Sequence, residues 1–277
     1  MNVDHTVIKQ NVSLALNEDI GTEDISASLL PEDAISKATL ICRENAILCG
    51  TGWFEEAFRQ LDHDVKINWM AKDGDKISPK EKLCIITGKT RALLTAERTA
   101  INFLQTLSGT ATQVKEYVKI IRGTGATILD TRKTIPGLRL AQKYAVTCGG
   151  GMNHRIGLYD AYLLKENHIL AKGNINNAIT EAKKAGLPVE VEVENLKELE
   201  EALAAEPDRI MLDNFKLDDL MRAVEINQGR AELEASGNIT MQNVRNIAKT
   251  GVDFISIGSL TKHLNAIDFS LRFESLN

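Results

Sequence analysis

The 277-residue sequence predicts an α/β protein in which a barrel of parallel strands follows a smaller α+β domain. From about residue 126, short apolar segments alternate with segments of helical periodicity, which is typical of parallel strands with helices outside them. The strand candidates are ATILD (126–130), AYLLK (161–165), PVEVEVE (188–194), RIMLD (209–213), LEAS (233–236) and FISIG (254–258). Six such units fit either a barrel or an open doubly wound sheet.

The residues at the ends of these segments favour the barrel. Each apolar run stops at a polar or small residue, and these ends are Asp130 leading to Arg132, Lys165, Glu192 with Glu194, Asp213, Ser236-Gly237 and Gly258-Ser259. In an α/β barrel the carboxyl ends of the strands converge on one mouth, where the chemistry takes place. The same side chains spread along an open sheet would not meet, so the pattern predicts one site at the barrel mouth.

Residues 1–110 have a different pattern. The runs TLICRENAILCG and DVKINWMAKDGDKISPKEKLCIITG contain short strand-like stretches with turns at Asp73-Gly74 and Ser78-Pro79. A long helical pattern then begins near Thr95. We therefore expect an N-terminal α+β domain over residues 1–110 and the barrel over residues 111–267.

Composition and charge narrow the class of protein. The hydrophobic content of 43% and charged content of 26% are ordinary for a globular enzyme. The formal charge of −5 argues against a general nucleic-acid binder. No apolar run is long enough to span a membrane, and the N-terminus lacks the layout of a signal peptide. The four cysteines form no C-x-x-C pair, so we expect reduced thiols and a cytoplasmic protein.

Cations gather in residues 130–168 although the whole chain is acidic. The segment carries six Lys or Arg against three Asp or Glu, and it includes His154 and His168. Gly149 to Gly151 precede the run Asn153-His154-Arg155. Glycine lets the backbone approach a ligand closely, and Arg and Lys donate to carboxylates and phosphates. This segment predicts a pocket for an anionic ligand.

The strand PVEVEVE (188–194) places its three glutamates on one face and its valines on the other. Acids that point into a barrel need cations or a metal as partners, and Lys133 and Lys165 are the candidates. The alternative is a solvated strand at the edge of the sheet. Strand candidates on both sides of this segment favour a central position instead. Glu192 and Asp213 are candidates to hold a divalent ion or ligand hydroxyls, because hard cations prefer oxygen ligands.

Two late strand ends carry small residues that favour phosphate binding. Ser236-Gly237-Asn238 and Gly258-Ser259 each follow a strand candidate and precede a helix, where backbone N–H groups often bind phosphate. Either glycine could equally be a plain turn. Arg98 lies in the long helix before the barrel, where an arginine is usually a solvated surface charge.

These motifs, in this order, resemble the quinolinate phosphoribosyltransferase family. The matching stretches are EDIGTEDIS, ERTAINFLQ, DTRKT-x-PGLR, GGG-x-NHR, Lys-x-Asn-His at 165–168, VEVE, LDNF, EASGNI and SIGSLTKH. The resemblance covers nearly the whole chain. It implies an N-terminal sandwich-like α/β domain, an incomplete barrel of about six strands, and a C-terminal segment, 268–277, that returns to the first domain. It also implies a homodimer or larger assembly with the active site at a subunit interface.

The resemblance implies an activity in de novo NAD biosynthesis. A phosphoribosyl group would pass from phosphoribosyl pyrophosphate to quinolinate, with nicotinate mononucleotide, CO2 and pyrophosphate as products and Mg2+ required. The expected partners are therefore small molecules, and no binding to nucleic acid or to a membrane is expected.

The resemblance also implies roles for individual residues. They are Arg132, His154 and Arg155 for the quinolinate carboxylates, Lys133 and Lys165 between quinolinate and the phosphoribosyl donor, Glu192 and Asp213 for the ribose hydroxyls and the metal-bound pyrophosphate, Ser236, Gly237 and Gly258 for the 5-phosphate, and Arg98 for a neighbouring subunit's substrate.

The residues alone leave two other classes open. A lysine at a barrel strand end could form a Schiff base, as in an aldolase, although the many anion-binding cations argue against it. A non-catalytic phosphosugar-binding protein of the same fold could lose Lys165 or the acidic pair without penalty, and this chain retains them.

Overall fold

The structure, a computed structural model, describes residues 1–274, which form two compact units. The first unit contains Met1–Lys115, Ile135–Gly150 and the chain from His263 onward, and the second contains Glu116–Thr134 and Gly151–Lys262. The helices are α1 (His5–Ile20), α2 (Thr51–Arg59), α3 (Thr90–Ile120), α4 (Arg139–Cys148), α5 (Glu166–Lys172), α6 (Ile175–Lys183), α7 (Leu196–Ala204), α8 (Leu217–Asn227), α9 (Val244–Ala248) and α10 (Ser259–Lys262).

The strands are β1 (Ile35–Cys42), β2 (Ala46–Ile47), β3 (Lys66–Trp69), β4 (Lys76–Ile77), β5 (Lys82–Lys89), β6 (Thr127–Leu129), β7 (Tyr162–Leu164), β8 (Val189–Val193), β9 (Arg209–Asp213), β10 (Glu232–Ser236), β11 (Phe254–Ser256) and β12 (Phe269–Phe273).

The first unit is built on an antiparallel sheet of order β12-β1-β5-β3. Alternate residues of β1, namely Ala38, Leu40 and Cys42, are fully buried and face a core that includes Trp53 and Phe54. Alternation of buried and exposed positions is expected for a sheet with one face on a core. This arrangement confirms the predicted α+β character of the N-terminal part.

The triple glycine has a packing role that the sequence did not indicate. A Cβ on Gly149 would lie 2.5 Å from the carbonyl oxygen of Ala111 and 2.6 Å from Cβ of Val114, both on α3. Gly150 has φ of 92°, a conformation that strongly favours glycine. The first two glycines therefore let α4 end tightly against α3.

The second unit is a six-stranded parallel sheet of order β6-β11-β10-β9-β8-β7. All six predicted strands are present, and the barrel-like sheet is not closed, as predicted. β8 lies between β7 and β9, so the alternative interpretation of this segment as a solvated edge strand is excluded. Val189, Val191 and Val193 are buried, and α6 and α7 contact β8. The sheet is extended at β6 by Met152, which pairs with Leu129 in a parallel bridge.

The C-terminal strand belongs to the first sheet. β12 pairs with β1 in antiparallel register, with Leu271 opposite Leu40. Of the predicted returning segment 268–277, residues 275–277 lie outside the described residues. The predicted domain boundaries after residues 110 and 267 remain predictions. Within residues 1–274, no helix combines the length and the apolar character that crossing a membrane requires.

Candidate active site

Lys165 and Glu192 meet at the carboxyl ends of β7 and β8. Lys165 directly follows β7, and its backbone N–H donates to Nδ1 of His168 at 3.0 Å. Its Nζ forms an ion pair with Oε2 of Glu192 on the neighbouring strand. The lysine side chain is 48% exposed and the glutamate 16%, so the acid is the more deeply placed partner. The expected pairing of Lys165 with the acidic face of β8 is therefore confirmed.

Asp213 ends β9, the strand next to β8, and is connected to the loop after β10. Its Oδ2 accepts a hydrogen bond from Nδ2 of Asn214 at 2.7 Å. The backbone N–H of Asn214 donates to the carbonyl of Ser236 at 2.9 Å, and its Oδ1 accepts from Nδ2 of Asn238 at 3.1 Å. A Cβ on Gly237, whose φ is 97°, would lie 2.2 Å from Oδ1 of Asn214. Glycine is therefore needed to bring this loop against Asn214, beside a cavity of about 290 Å³.

Lys133 lies over Gly258. β6, which precedes Lys133, and β11, which precedes Gly258, are neighbours in the sheet. A Cβ on Gly258 would lie 2.9 Å from Cδ of Lys133, so the aliphatic part of the lysine passes directly over the glycine. The carbonyl of Lys133 accepts a hydrogen bond from Oγ1 of Thr261 at 2.7 Å. A predicted substrate lysine thus lies beside a predicted phosphate-binding glycine.

Arg132 and Arg155 are close enough to affect each other electrostatically. Burial lowers the pKa of Arg155 below its ordinary value, and the positive charge of Arg132 lowers it further. The negative charges of Glu190 and Asp160 act in the opposite direction and partly offset the repulsion. A bound anion would offset it further. The arrangement agrees with the predicted pocket for an anionic ligand.

His154 is buried against two carboxylates inside the barrel. Its Nε2 lies 2.7 Å from Oε2 of Glu190 on β8 and 3.6 Å from Oε2 of Glu234 on β10. Nη1 of Arg209, on the intervening strand β9, lies 3.4 Å from the same oxygen of Glu234. The exposed fraction is 8% for His154 and 0% for Glu234. We refer to His154, Glu190, Arg209 and Glu234 as the interior charge cluster.

The protonation of the interior charge cluster is set by burial and by mutual attraction. Burial alone would lower the pKa of His154, but the hydrogen bond and negative charge of Glu190, followed by the charge of Glu234, outweigh burial and raise it. Burial and the charge of Glu190 raise the pKa of Glu234 to about 7. Because these groups interact strongly, their protons belong to the cluster as a whole.

Asp130 fixes the backbone that carries His154. The Asp130 side chain is fully buried at the end of β6. Its Oδ1 accepts from the backbone N–H of His154 at 2.8 Å, and its Oδ2 accepts from Nδ2 of Asn153 at 2.7 Å. A cavity of about 340 Å³ adjoins this segment, and its lining includes His154, Arg155, Glu190 and Arg209. The predicted anion-binding run therefore lines a cavity at the amino ends of β7 to β10, whereas Lys165, Glu192 and Asp213 lie at the carboxyl ends of their strands.

Arg98 lies in the first unit, on the exposed face of α3. Leu94 and Asn102, four residues before and after it, are exposed on the same face. Its predicted role toward another subunit is consistent with this exposure and remains a prediction.

The sequence patterns did not single out several polar residues that the structure places at the candidate site. They are Glu190 as a histidine partner, Arg209, Asn214 and Glu234. Glu234 carried a usable signal, because the strand ELEAS alternates acids with apolar residues as VEVEV does. Within the described residues, His154, Glu190 and Glu234 are also a group whose ligand atoms lie close enough together to hold a metal ion. Glu192 and Asp213, the predicted metal residues, are not in that group.

Two family profiles together match nearly the whole chain. The profile described as "Quinolinate phosphoribosyl transferase, N-terminal domain" matches residues 19–108. The profile described as "Quinolinate phosphoribosyl transferase, C-terminal domain" matches residues 110–272.

Individual proteins similar to the chain carry names that agree with these profiles. The chain is 40% identical to the chloroplastic nicotinate-nucleotide pyrophosphorylase [carboxylating] of Oryza sativa, over 97% of this chain and 78% of that protein. It is 37% identical to the probable enzyme of the same name from Bacillus subtilis, over 97% and 94%. Among solved structures, the nicotinate-nucleotide pyrophosphorylase of Francisella tularensis is 50% identical with a TM-score of 0.96, covering 99% of this chain and 98% of that one.

Proposed function

The chain belongs to the quinolinate phosphoribosyltransferase family, and from that premise we propose how its barrel mouth carries out the reaction. The protein is an enzyme that transfers a phosphoribosyl group from phosphoribosyl pyrophosphate to quinolinate, with decarboxylation. The product, nicotinate mononucleotide, serves NAD biosynthesis. The aldolase and the non-catalytic phosphosugar-binding protein are thereby set aside.

Quinolinate binds, in this proposal, to the cationic groups near the run Asn153-His154-Arg155. Arg132 and Arg155 are mutually repelling guanidinium groups, and a dicarboxylate would relieve that repulsion while accepting forked hydrogen bonds. This juxtaposition is the observation that carries the proposal. An assay of quinolinate consumption with phosphoribosyl pyrophosphate and Mg2+, following nicotinate mononucleotide, tests it in the wild type and in Arg155→Ala.

The phosphoribosyl donor occupies the loops at the strand ends. The backbone N–H groups around Ser236, Gly237 and Gly258 would bind the 5-phosphate, since glycine permits close approach of an anion. Asp213 and Glu192 would accept hydrogen bonds from the ribose hydroxyls. Breaking the ribosyl C–O bond develops positive charge on the sugar, which these carboxylates stabilise.

Lysines would assist the departure of pyrophosphate and bind the carboxylate that is later lost as CO2. Lys165, half exposed beside Glu192, would donate to the pyrophosphate oxygens as the C–O bond breaks. The ring nitrogen of quinolinate then forms the new bond to the sugar and becomes a pyridinium. Its positive charge stabilises the carbanion left when the 2-carboxylate departs as CO2, and a proton completes the product. We propose that Lys133 or Lys165 binds the carboxylate that leaves.

Mg2+ is the proposed cofactor, and the donor set suits it. Glu192 and Asp213 offer carboxylate oxygens on adjacent strands, and Mg2+ takes oxygen ligands, usually one or two carboxylates with substrate phosphates. When bound, the ion neutralises charge on the pyrophosphate. The two carboxylates would hold it directly or through the metal-bound substrate.

Removing either carboxylate is expected to impair use of the donor far more than folding. Glu192→Ala or Asp213→Ala should lower kcat/KM for Mg-phosphoribosyl pyrophosphate, with the melting temperature nearly unchanged, because both residues lie at strand ends and are partly exposed. Asp218→Ala, exposed on the helix that follows the same strand, is the matched control and should retain activity. Full activity of the wild type in excess chelator would rule out the metal.

Nicotinate, which lacks the 2-carboxylate, is expected to be a poor substrate. Part of the cationic cluster would lose the carboxylate that the site is built to bind, and such a site discriminates against an analogue lacking that group, so kcat/KM should fall by about 100-fold or more. In Arg155→Ala the preference for quinolinate over nicotinate, measured as the ratio of the two kcat/KM values, should decrease. The reason is that quinolinate loses a partner that nicotinate does not fully use. Comparable values for the two acids in the wild type would contradict this assignment.

We also propose a homodimer in the cytoplasm, in which each subunit contributes to the other's active site. Supporting the dimer, large apolar side chains near the open side of the sheet, Leu158, Tyr159 and Leu170, are strongly exposed, and such surfaces are often covered by a partner. Arg98 is exposed in the N-terminal unit and would be the residue offered to the partner. The four cysteines are free thiols, as expected in a reducing compartment.

A further inference from the structure

The interior charge cluster buries more negative charge than a barrel interior tolerates without compensation. Glu190 and Glu234 are at least nine-tenths buried, and each has a second carboxylate oxygen, Oε1, without a hydrogen-bond partner. Arg209 contacts Glu234 and also pairs with Glu232, and the positive charge of Arg155 acts on Glu190. A buried carboxylate without a partner costs several kcal/mol or takes up a proton, so a hydrogen-bond donor beside Glu190 is favoured.

His154 is the group placed to supply that donor. Its Nε2 is at hydrogen-bonding distance from Glu190, and Glu234 is the second carboxylate facing it. Arg209 faces the cluster from β9, and the Asp130 carboxylate accepts a hydrogen bond from the backbone N–H of His154. The attraction of the two glutamates outweighs burial and raises the pKa of His154, which favours the charged form of the ring.

We infer that Glu190 is a positioning residue for the reaction, holding His154 as a fixed imidazolium that faces the substrate anion. The inference rests on the proposed function, in which His154 belongs to the quinolinate-binding cluster. Glu190 acts through the ring, whose charge and orientation it determines, much as a carboxylate orients a metal-bound histidine. Glu234, a full 3.6 Å away, is the weaker partner.

The charge state can be measured without reference to activity. In 15N NMR spectra of the full-length enzyme, with the His154 signal identified by its loss in His154→Asn, both ring nitrogens should be protonated at pH 7. In Glu190→Gln the nearest negative charge is removed, burial prevails, and the ring should become neutral. Glu234→Gln should produce a smaller shift in the same direction. Glu232→Gln is the control, because Glu232 is 54% exposed and pairs with Arg209 at 2.8 Å.

Kinetics then separate positioning from a purely structural role. Glu190→Gln should raise KM for quinolinate by about 10- to 100-fold, the range for a lost charge-assisted hydrogen bond, and leave KM for phosphoribosyl pyrophosphate unchanged. In the wild type, KM for quinolinate should rise as pH increases through the raised pKa of His154. The same rise should begin at lower pH in Glu190→Gln and in Glu234→Gln, which supplies a second variant if Glu190→Gln folds poorly.

Three results would overturn the inference. The first is a neutral His154 in the wild type at pH 7. The second is a stoichiometric metal bound by His154, Glu190 and Glu234, detected by elemental analysis of the purified enzyme and lost in Glu190→Gln. The third is a charged ring that becomes neutral in Glu190→Gln with no change in KM for quinolinate. A failure of the proposed substrate assignments would appear separately, as unaltered quinolinate kinetics in Arg155→Ala.

Discussion

Replacing Lys165 with alanine is expected to lower kcat/KM for phosphoribosyl pyrophosphate by about 100- to 1000-fold, the usual cost of removing one donor to a developing anion. The lysine lies at the end of β7 with its ammonium group beside Glu192 and about half of its side chain exposed. Lys165 can therefore interact with a bound pyrophosphate while Glu192 keeps its position. Steady-state kinetics with the donor as the varied substrate measure the effect.

The fold should tolerate this substitution. Lys165 is about half exposed, and an ion pair near the surface contributes little to stability, so the melting temperature of Lys165→Ala should stay close to that of the wild type. Lys197→Ala provides the matched control, because Lys197 is a highly exposed lysine that pairs with Glu201 on a helix of the same unit. Its kinetics should be unchanged. An active Lys165→Ala enzyme would remove the lysine from the catalytic machinery.

The sequence predicted the strands of the second unit well because their signals are local. Each strand alternates or clusters apolar residues over a few positions and is followed by a helical segment, so six strands could be recognised separately. The orientation of VEVEV followed from the same periodicity, and its central place in the sheet confirmed it. Asp213 and Glu192 were likewise placed on adjacent strands by their positions alone.

The partners of His154 could not be predicted in this way. Glu190 and Glu234 are 36 and 80 positions away along the chain, and their meeting depends on how residues of different strands come to the same height inside the barrel. That stagger is a property of the assembled sheet and not of any one segment. Sequence patterns therefore identified His154 as a candidate for binding an anion and left its two acidic neighbours unassigned.

Glycine illustrates the same limit. The run of three glycines suggested close approach to a ligand, whereas Gly149 is required by the backbone of Ala111 in a preceding helix. Gly237 was predicted to lie in a phosphate-binding loop, and the side chain that excludes a Cβ there is Asn214, from the loop after another strand. The sequence can indicate that a position needs glycine, but only the tertiary structure shows which atom excludes a Cβ there.

Two inactive variants are expected to restore activity when they are mixed. Arg98→Ala removes the arginine that each subunit would present to its partner, and Lys165→Ala removes the lysine that each barrel supplies to its own site. In a heterodimer of the two variants, two-fold symmetry places both lesions in one active site and leaves the other intact. Random exchange of subunits should therefore return about a quarter of wild-type activity per dimer, and an enforced heterodimer about half.

A control distinguishes an active site shared between subunits from a gain in activity that arises only because mixing stabilises the variants. Subunit exchange is followed by mass spectrometry of differently tagged variants, and Lys165→Ala mixed with Glu192→Ala should show no recovery, because both residues come from the same barrel. If Arg98 served its own subunit, each heterodimer would carry one lesion in each site, and activity would stay at the level of the separate variants despite complete exchange. Recovery in the Arg98 mixture alone thus requires Arg98 to act across the interface, which its exposed position on α3 permits.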